Sequence, residues 1–150
     1  MSSGTGSAPP SVLPVHGFVL AGGRSSRMGR DKALLRFKGR PMVEIAVERL
    51  RSFCAAVSIV GEREDLAGFG PVVRGERAGA GPAAGLEAGL RASAGAWAMF
   101  TPVDVPLVPE DLLRRWAEAV LAREGAGGRL SFLRAAGEPH PVMCLLHREC

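Results

Sequence analysis

The chain has no tyrosine, and aromatic side chains make up only 5% of its 150 residues. So thin a supply argues against the stacking platforms with which proteins bind single-stranded nucleic acid. Cysteine is also sparse. Cys54, Cys144 and Cys150 are odd in number and show no Cys-x-x-Cys spacing, which fits neither a disulfide framework nor a structural zinc site. Reduced thiols in a cytoplasmic protein are the simplest expectation. No run of about eighteen apolar residues occurs, so no membrane-spanning helix is expected. His16, His140 and His147 are dispersed, and no Ser/His/Asp or Cys/His arrangement stands out for nucleophilic catalysis. Lysine is the rarest cation: of nineteen cationic side chains, only Lys32 and Lys38 are lysines.

What is present is ordinary for a globular protein of one domain, with 47% hydrophobic and 23% charged residues. The net charge of +4 comes from arginines interleaved with acids, which reads as a solvated surface and not as a nucleic-acid patch. Residues 1–14, rich in Ser, Gly and Pro, lack the basic start and apolar core of a secretory signal and read as a flexible tail ahead of a domain over 15–150.

Within that domain, apolar runs alternate with helical periodicity. Val15–Leu20 reads as a buried strand in which Gly17 permits close approach of a packed element. Pro41 opens a helix whose Val43, Ala46, Val47 and Leu50 form one face. Ala56–Val60 and residues 71–73 are strands, and a glycine-rich turn over 79–85 leads into a helix to about Ala92 with Leu86 and Leu90 inward. Trp97–Thr101 is the next strand. Pro109 starts a helix with Leu112, Leu113, Trp116, Val120 and Leu121 as its buried stripe. Leu130–Arg134 alternates, and Pro141–Leu146 is apolar enough for a central strand. This order implies a three-layer α/β/α sandwich around a largely parallel sheet, with ligands beyond the carboxyl ends of the strands.

Three loops fall on that edge. The first is Leu20-Ala-Gly-Gly-Arg-Ser-Ser-Arg-Met-Gly-Arg-Asp-Lys32. Its glycines let backbone N–H groups approach a ligand and form an anion-binding concavity. Arg24, Arg27, Arg30 and Lys32 add positive charge, so a polyphosphate matches it best. Lysine in this arginine-rich chain supplies a compact, mobile ammonium able to follow a phosphate oxygen. The second loop is the turn near Gly81. The third carries Asp104 between the prolines Pro102 and Pro106. A carboxylate held beside a polyphosphate suits Mg²⁺, which takes one or two carboxylates plus phosphate and water; an aspartate that only organises a turn is the alternative. The Walker loop and the dinucleotide fingerprint are both absent from the first loop. His140, between Pro139 and Pro141, either lines the site or is structural.

Leu20-Ala-Gly-Gly-x-Ser-x-Arg-Met-Gly-x-Asp-Lys32 resembles the signature of nucleotidyltransferases with a three-layer, Rossmann-like fold. Gly81-Pro-Ala-Ala-Gly-Leu86, Pro102-Val-Asp-Val-Pro106 and His140-Pro-Val142 are similar, in order and spacing, to the later motifs of the molybdenum cofactor guanylyltransferases. The resemblance implies GTP lying across the first loop, with Leu20, Ala21 and Gly22 at the nucleotide. Gly23 to Gly29, including Arg24 and Ser25, would wrap the phosphates, and Gly81 and Pro82 would border the base. It further implies that Lys32 neutralises phosphate charge, that Asp104 holds Mg²⁺, and that Arg27 helps hold the acceptor phosphate of molybdopterin. Pyrophosphate would be released, and molybdoenzymes or cofactor-delivery proteins would be partners. The family continues some tens of residues past the position of Cys150, so the domain is expected to lack that usual C-terminal segment. Use of CTP or another phosphorylated acceptor, or GTP binding without turnover, are the alternative readings; a basic nucleic-acid binder ranks last.

Overall fold

A computed structural model describes residues 11–21, 32–75 and 81–150. Its frame is a six-stranded sheet made of β1 (Leu13–Leu20), β4 (Cys54–Val60), β5 (Val72–Val73), β6 (Trp97–Pro102), β7 (Leu130–Ala135) and β8 (Glu138–His147). The spatial order is β5-β4-β1-β6-β8-β7. β5, β4, β1 and β6 are parallel, while β8 runs antiparallel between β6 and β7. A separate two-stranded ribbon pairs β2 (Arg36–Phe37) with β3 (Arg40–Pro41).

The parallel strands read as near-continuous apolar runs because both faces of the sheet are covered. On one face, α1 (Met42–Arg51) and α3 (Glu110–Ala122) pack over Val15, Val19, Ile59, Met99 and Leu145. On the other, α2 (Pro82–Ala92) brings Leu86 and Leu90 against Phe18, Val60 and Phe100. The three-layer α/β/α sandwich with a mostly parallel sheet is therefore the observed fold.

Close packing needs glycine at two places. A Cβ on Gly17 would lie 3.1 Å from Cys54 Sγ and 3.1 Å from Leu50 Cδ1, so α1 packs directly over β1 there. On α2, a Cβ at Gly89 would lie 2.4 Å from Phe100 Cε1. Phe100 belongs to a buried stack in which ring centroids are 4.1 Å apart for His16–Phe18 and 5.1 Å apart for Phe18–Phe100.

Several local expectations are corrected. β1 begins at Leu13, two residues ahead of the expected Val15, because Leu13 already pairs with Cys54. Pro41 ends the β2–β3 ribbon and caps α1 without joining it. Leu112 is 47% exposed; Ala117 on α3 takes the place in the buried stripe that the sequence pattern gave to Leu112. β8 is the penultimate strand, not a central one, and only Met143–Leu146 of it are buried. β7 alternates as expected, but it is an edge strand whose Leu130 and Phe132 face out, while Ser131 and Leu133 are half-buried. Among the described residues, no helix is long and apolar enough to cross a membrane.

Candidate active site

The order of the strands places a crevice before any side chain is considered. From β1 the chain moves to β4 and β5 on one side, then crosses back to β6 on the other. Loops leaving neighbouring strands in opposite directions part at such a switch point, here between the carboxyl ends of β1 and β6. Leu20 ends β1 and Pro102 ends β6, and the two pair in register. Ala21 and Val103, the first residues past the two strands, therefore leave the sheet side by side.

Their backbones are tied together at the exit. The Val103 amide donates to the Leu20 carbonyl at 3.1 Å, and the Ala21 amide donates to the Val60 carbonyl at 2.9 Å. Val103 itself is buried, 7% exposed, which anchors the chain one residue before Asp104. Asp104 then projects its carboxylate outward. Lys32 Nζ donates to Asp104 Oδ2 at 3.4 Å, with both side chains about half exposed. The two side chains singled out for phosphate and metal chemistry thus meet at the predicted edge.

Lys32 is placed by the turn that follows it. The Leu35 amide donates to the Lys32 carbonyl at 3.3 Å. The first amides of α1, which have no partner within the helix, are satisfied from this turn: Val43 donates to the Ala33 carbonyl at 3.0 Å and Met42 to the Leu35 carbonyl at 2.9 Å. The ribbon turn at Lys38 and Gly39 has positive φ at both residues, 52° and 81°, as a tight two-residue hairpin requires. That hairpin returns the chain to the start of α1.

Gly81 and Pro82 lie on the same edge by topology, since α2 starts after β5. Gly81 has φ of +80°, open to glycine at no steric cost, and Pro82 is the first helical residue. His140 is exposed and pairs with Leu133 in the part of β8 that extends past the Phe100–Cys144 pairing, towards the carboxyl end of β6. Of the expected site residues, Leu20, Ala21, Lys32, Gly81, Pro82 and Asp104 are described. Gly22, Gly23, Arg24, Ser25, Arg27 and Gly29 lie outside the described residues.

The buried thiols take no part in this edge. Burial pushes both Cys54 and Cys144 up to about 12, which makes them inert as nucleophiles near neutral pH. Among the described residues, no group of three or more His, Cys, Asp or Glu side chains could hold a metal alone. Asp104 offers a single exposed carboxylate with its Oδ2 turned to Lys32. That donor set fits a hard cation that draws its remaining ligands from phosphate and water, and it does not fit an all-protein cage.

One further residue, Arg49, was not expected from the sequence. Arg49 falls on the apolar face of α1 and is 6% exposed. Its Nη1 donates to the carbonyls of Val105 and Val108, each at 2.8 Å. A charged residue on an otherwise apolar helical stripe is the hint that was available.

A sheet switch point, a glycine-rich first loop and an exposed Lys–Asp pair together define a nucleotidyltransferase-like edge. Residues 17–150 match the MobA-like NTP transferase domain, and the chain belongs to that family. It is 46% identical over 138 residues to the molybdenum cofactor guanylyltransferase of Cereibacter sphaeroides, covering 87% of this chain and 67% of the relative. It is 36% identical over 143 residues to that of Polynucleobacter asymbioticus, covering 88% and 69%. The crystal structure of the molybdopterin-guanine dinucleotide biosynthesis protein A from Archaeoglobus fulgidus shares the fold, with a TM-score of 0.70 at 21% identity over 89% of this chain and 68% of that one.

Proposed function

We propose that this chain transfers a guanylyl group from GTP to the terminal phosphate of molybdopterin, releasing pyrophosphate. The relatives that support this reading carry the name molybdenum cofactor guanylyltransferase at up to 46% identity. The observation that carries it structurally is the 3.4 Å contact between Lys32 and Asp104 at the β1–β6 switch point.

In this reading the triphosphate lies along the first loop, with its base towards Gly81 and Pro82. An oxygen of the acceptor phosphate forms a bond to the α-phosphorus. The α–β phosphoanhydride bond breaks, and its electron pair leaves with pyrophosphate. The acceptor is already anionic, so no strong general base is required. Catalysis then rests on positioning and on charge stabilisation.

Lys32 and Asp104 pair with each other in an exposed setting, where an ion pair is worth less than about 1 kcal/mol. A polyanion with its cation can therefore replace that pair at little cost. Lys32 turns to the phosphate oxygens, and Asp104 holds Mg²⁺. When bound, the cation supplies Lewis-acid screening of the phosphate oxygens. Arg27 is assigned to the acceptor phosphate, Gly23 to Gly29 to the phosphate cradle, and Leu20, Ala21 and Gly22 to the nucleotide. Leu20 and Ala21 hold the loop to the sheet through the backbone bonds described above.

The experiment is a pyrophosphate-release assay with GTP, Mg²⁺ and molybdopterin, with CTP run in parallel. Release with GTP, dependent on molybdopterin and weaker with CTP, supports the reading. Preference for CTP redirects it to a cytidylyl transfer. GTP binding with no product contradicts turnover by this chain.

A further inference from the structure

The Lys32–Asp104 geometry depends on a third element. α1 holds both ends of it. At its start, the amides of Met42 and Val43 bind the carbonyls of Leu35 and Ala33, in the turn that begins at Lys32. Two turns further on, the buried Arg49 binds the carbonyls of Val105 and Val108, in the segment that begins at Asp104. Asp104 is thereby pinned on both sides. Before it, the Val103 amide is fixed to Leu20 of β1; after it, the Val105 carbonyl is fixed to Arg49 of α1.

A buried guanidinium is a costly means of holding a loop. Arg49 Nε and Nη2 are buried with no hydrogen-bond partner among the described residues. Burial pushes the group down from the ordinary arginine value, although Glu110 opposes this. An apolar side chain would serve the packing of α1 better, because replacing a buried charge by a well-packed hydrophobe is often neutral or stabilising. What an apolar side chain cannot do is bridge two carbonyls three residues apart. Arg49 does so with the two N–H groups of a single nitrogen, Nη1, and it adds to the one backbone bond of that turn, from the Val108 amide to the Val105 carbonyl at 3.3 Å.

We infer that Arg49 is a positioning residue for the nucleotidyl-transfer site, and that α1 acts as the strut that sets the distance between Lys32 and the carboxylate of Asp104. This rests on the reading of Asp104 given above. Arg49 touches neither nucleotide nor metal; it acts through the backbone of residues 105–108. The strut also explains why Gly17 is needed beneath it. An α1 held off the sheet by a larger residue would carry the Lys32 turn and the Arg49 head with it.

The test compares Arg49→Met and Arg49→Lys with the wild-type chain, using amide hydrogen exchange, kcat and the Mg²⁺ concentration for half-maximal rate. Methionine is expected to speed exchange across residues 103–109 by about tenfold or more, the loosening that two lost carbonyl hydrogen bonds permit. Exchange in residues 97–101 of β6 should be unchanged. kcat should fall by about ten- to a hundredfold, as expected for a small misplacement of a charged group, and the Mg²⁺ requirement should rise. Lysine keeps the charge and has donors enough for both carbonyls on one nitrogen, but its arm is one atom shorter than the path to Nη1, so it should fall in between. If the methionine variant does not fold, the lysine variant decides by the same readouts. Wild-type exchange over 103–109 with wild-type kcat and Mg²⁺ dependence overturns the inference. So does a lower melting temperature with no change in these readouts, which marks a purely structural role. If the wild-type chain releases no pyrophosphate, the functional reading has failed, and the exchange measurement still decides whether Arg49 holds the segment.

Discussion

Lys32 Nζ lies 3.4 Å from Asp104 Oδ2, although 72 positions separate the two residues in the chain. They belong to different connections, which meet where β1 and β6 send the chain to opposite sides of the sheet. An ion pair this exposed contributes little to stability. Lys32→Ala should therefore leave the melting temperature within a degree or two, by the size of surface effects. Its pyrophosphate release should fall by about a hundred- to a thousandfold, the range for losing one charge-stabilising donor. Steady-state kinetics beside a thermal melt checks both halves.

Asp104→Asn keeps the size and hydrogen-bonding capacity of the side chain and removes its charge. If the carboxylate holds the cation, the Mg²⁺ concentration for half-maximal rate should rise at least about tenfold, as for loss of a ligand or its orienting partner. A Mg²⁺ titration at saturating nucleotide measures it. A change in rate with no change in Mg²⁺ dependence would assign Asp104 to the pairing with Lys32 alone.

The layers, the parallel strands and their helices were legible because apolar runs and 3.6-residue periodicity report burial directly. Val43, Ala46, Val47 and Leu50 are all buried as their spacing implied. The failures have a common physical origin. Leu112 is apolar yet exposed, and sequence pattern cannot tell which face of a helix meets a neighbour until the neighbours are placed. The Lys32–Asp104 juxtaposition was inferable from the rule that sites gather beyond strand ends. For Arg49 only its place beside the apolar stripe of α1 was legible; its partners are backbone carbonyls, which have no residue-specific sequence signal.

Gly89 carried no expectation from sequence, and the fold makes it the least replaceable glycine of α2. Alanine there would gain about 1 kcal/mol of helix propensity. Its methyl would meet Phe100 at 2.4 and 2.8 Å, against a ring already stacked on Phe18. Gly89→Ala should therefore lower stability by a net of about 1–3 kcal/mol, the usual range for overpacking. Urea denaturation with an unchanged m-value would record it.

His16 sets a pH dependence. The Ala94 amide donates to Nδ1 at 3.1 Å, so Nδ1 carries no proton, and Nε2–H donates to Ser58 Oγ at 2.9 Å. Burial lowers the His16 value from 6.5. Below pH 6.5 the unfolded chain takes up a proton that the folded one resists. Stability from this group is thus complete above 6.5 and is lost as pH falls towards the lowered folded value. His16→Gln keeps a donor and an acceptor but does not titrate, so its melting temperature should fall less than that of the wild type between pH 7.5 and 5. Melts across that range compare the slopes.

The β7–β8 turn offers a gain in stability. Ala136 sits at φ of 52° beside Gly137 at 84°, in a two-residue hairpin turn that favours asparagine at its first position. Ala136→Asn should raise stability by about 0.5–1 kcal/mol through relief of left-handed strain, read from chemical denaturation.

The proposed transfer depends above all on a triphosphate and its cation replacing the Lys32–Asp104 pair. A crystal structure with a non-hydrolysable GTP analogue and Mn²⁺ in place of Mg²⁺ tests this directly. The expected result is an anomalous peak within coordination distance of an Asp104 carboxylate oxygen, with Lys32 Nζ moved onto a phosphate oxygen. Nucleotide bound away from the β1–β6 edge, or manganese bound without Asp104 while Lys32 remains paired to it, would contradict it.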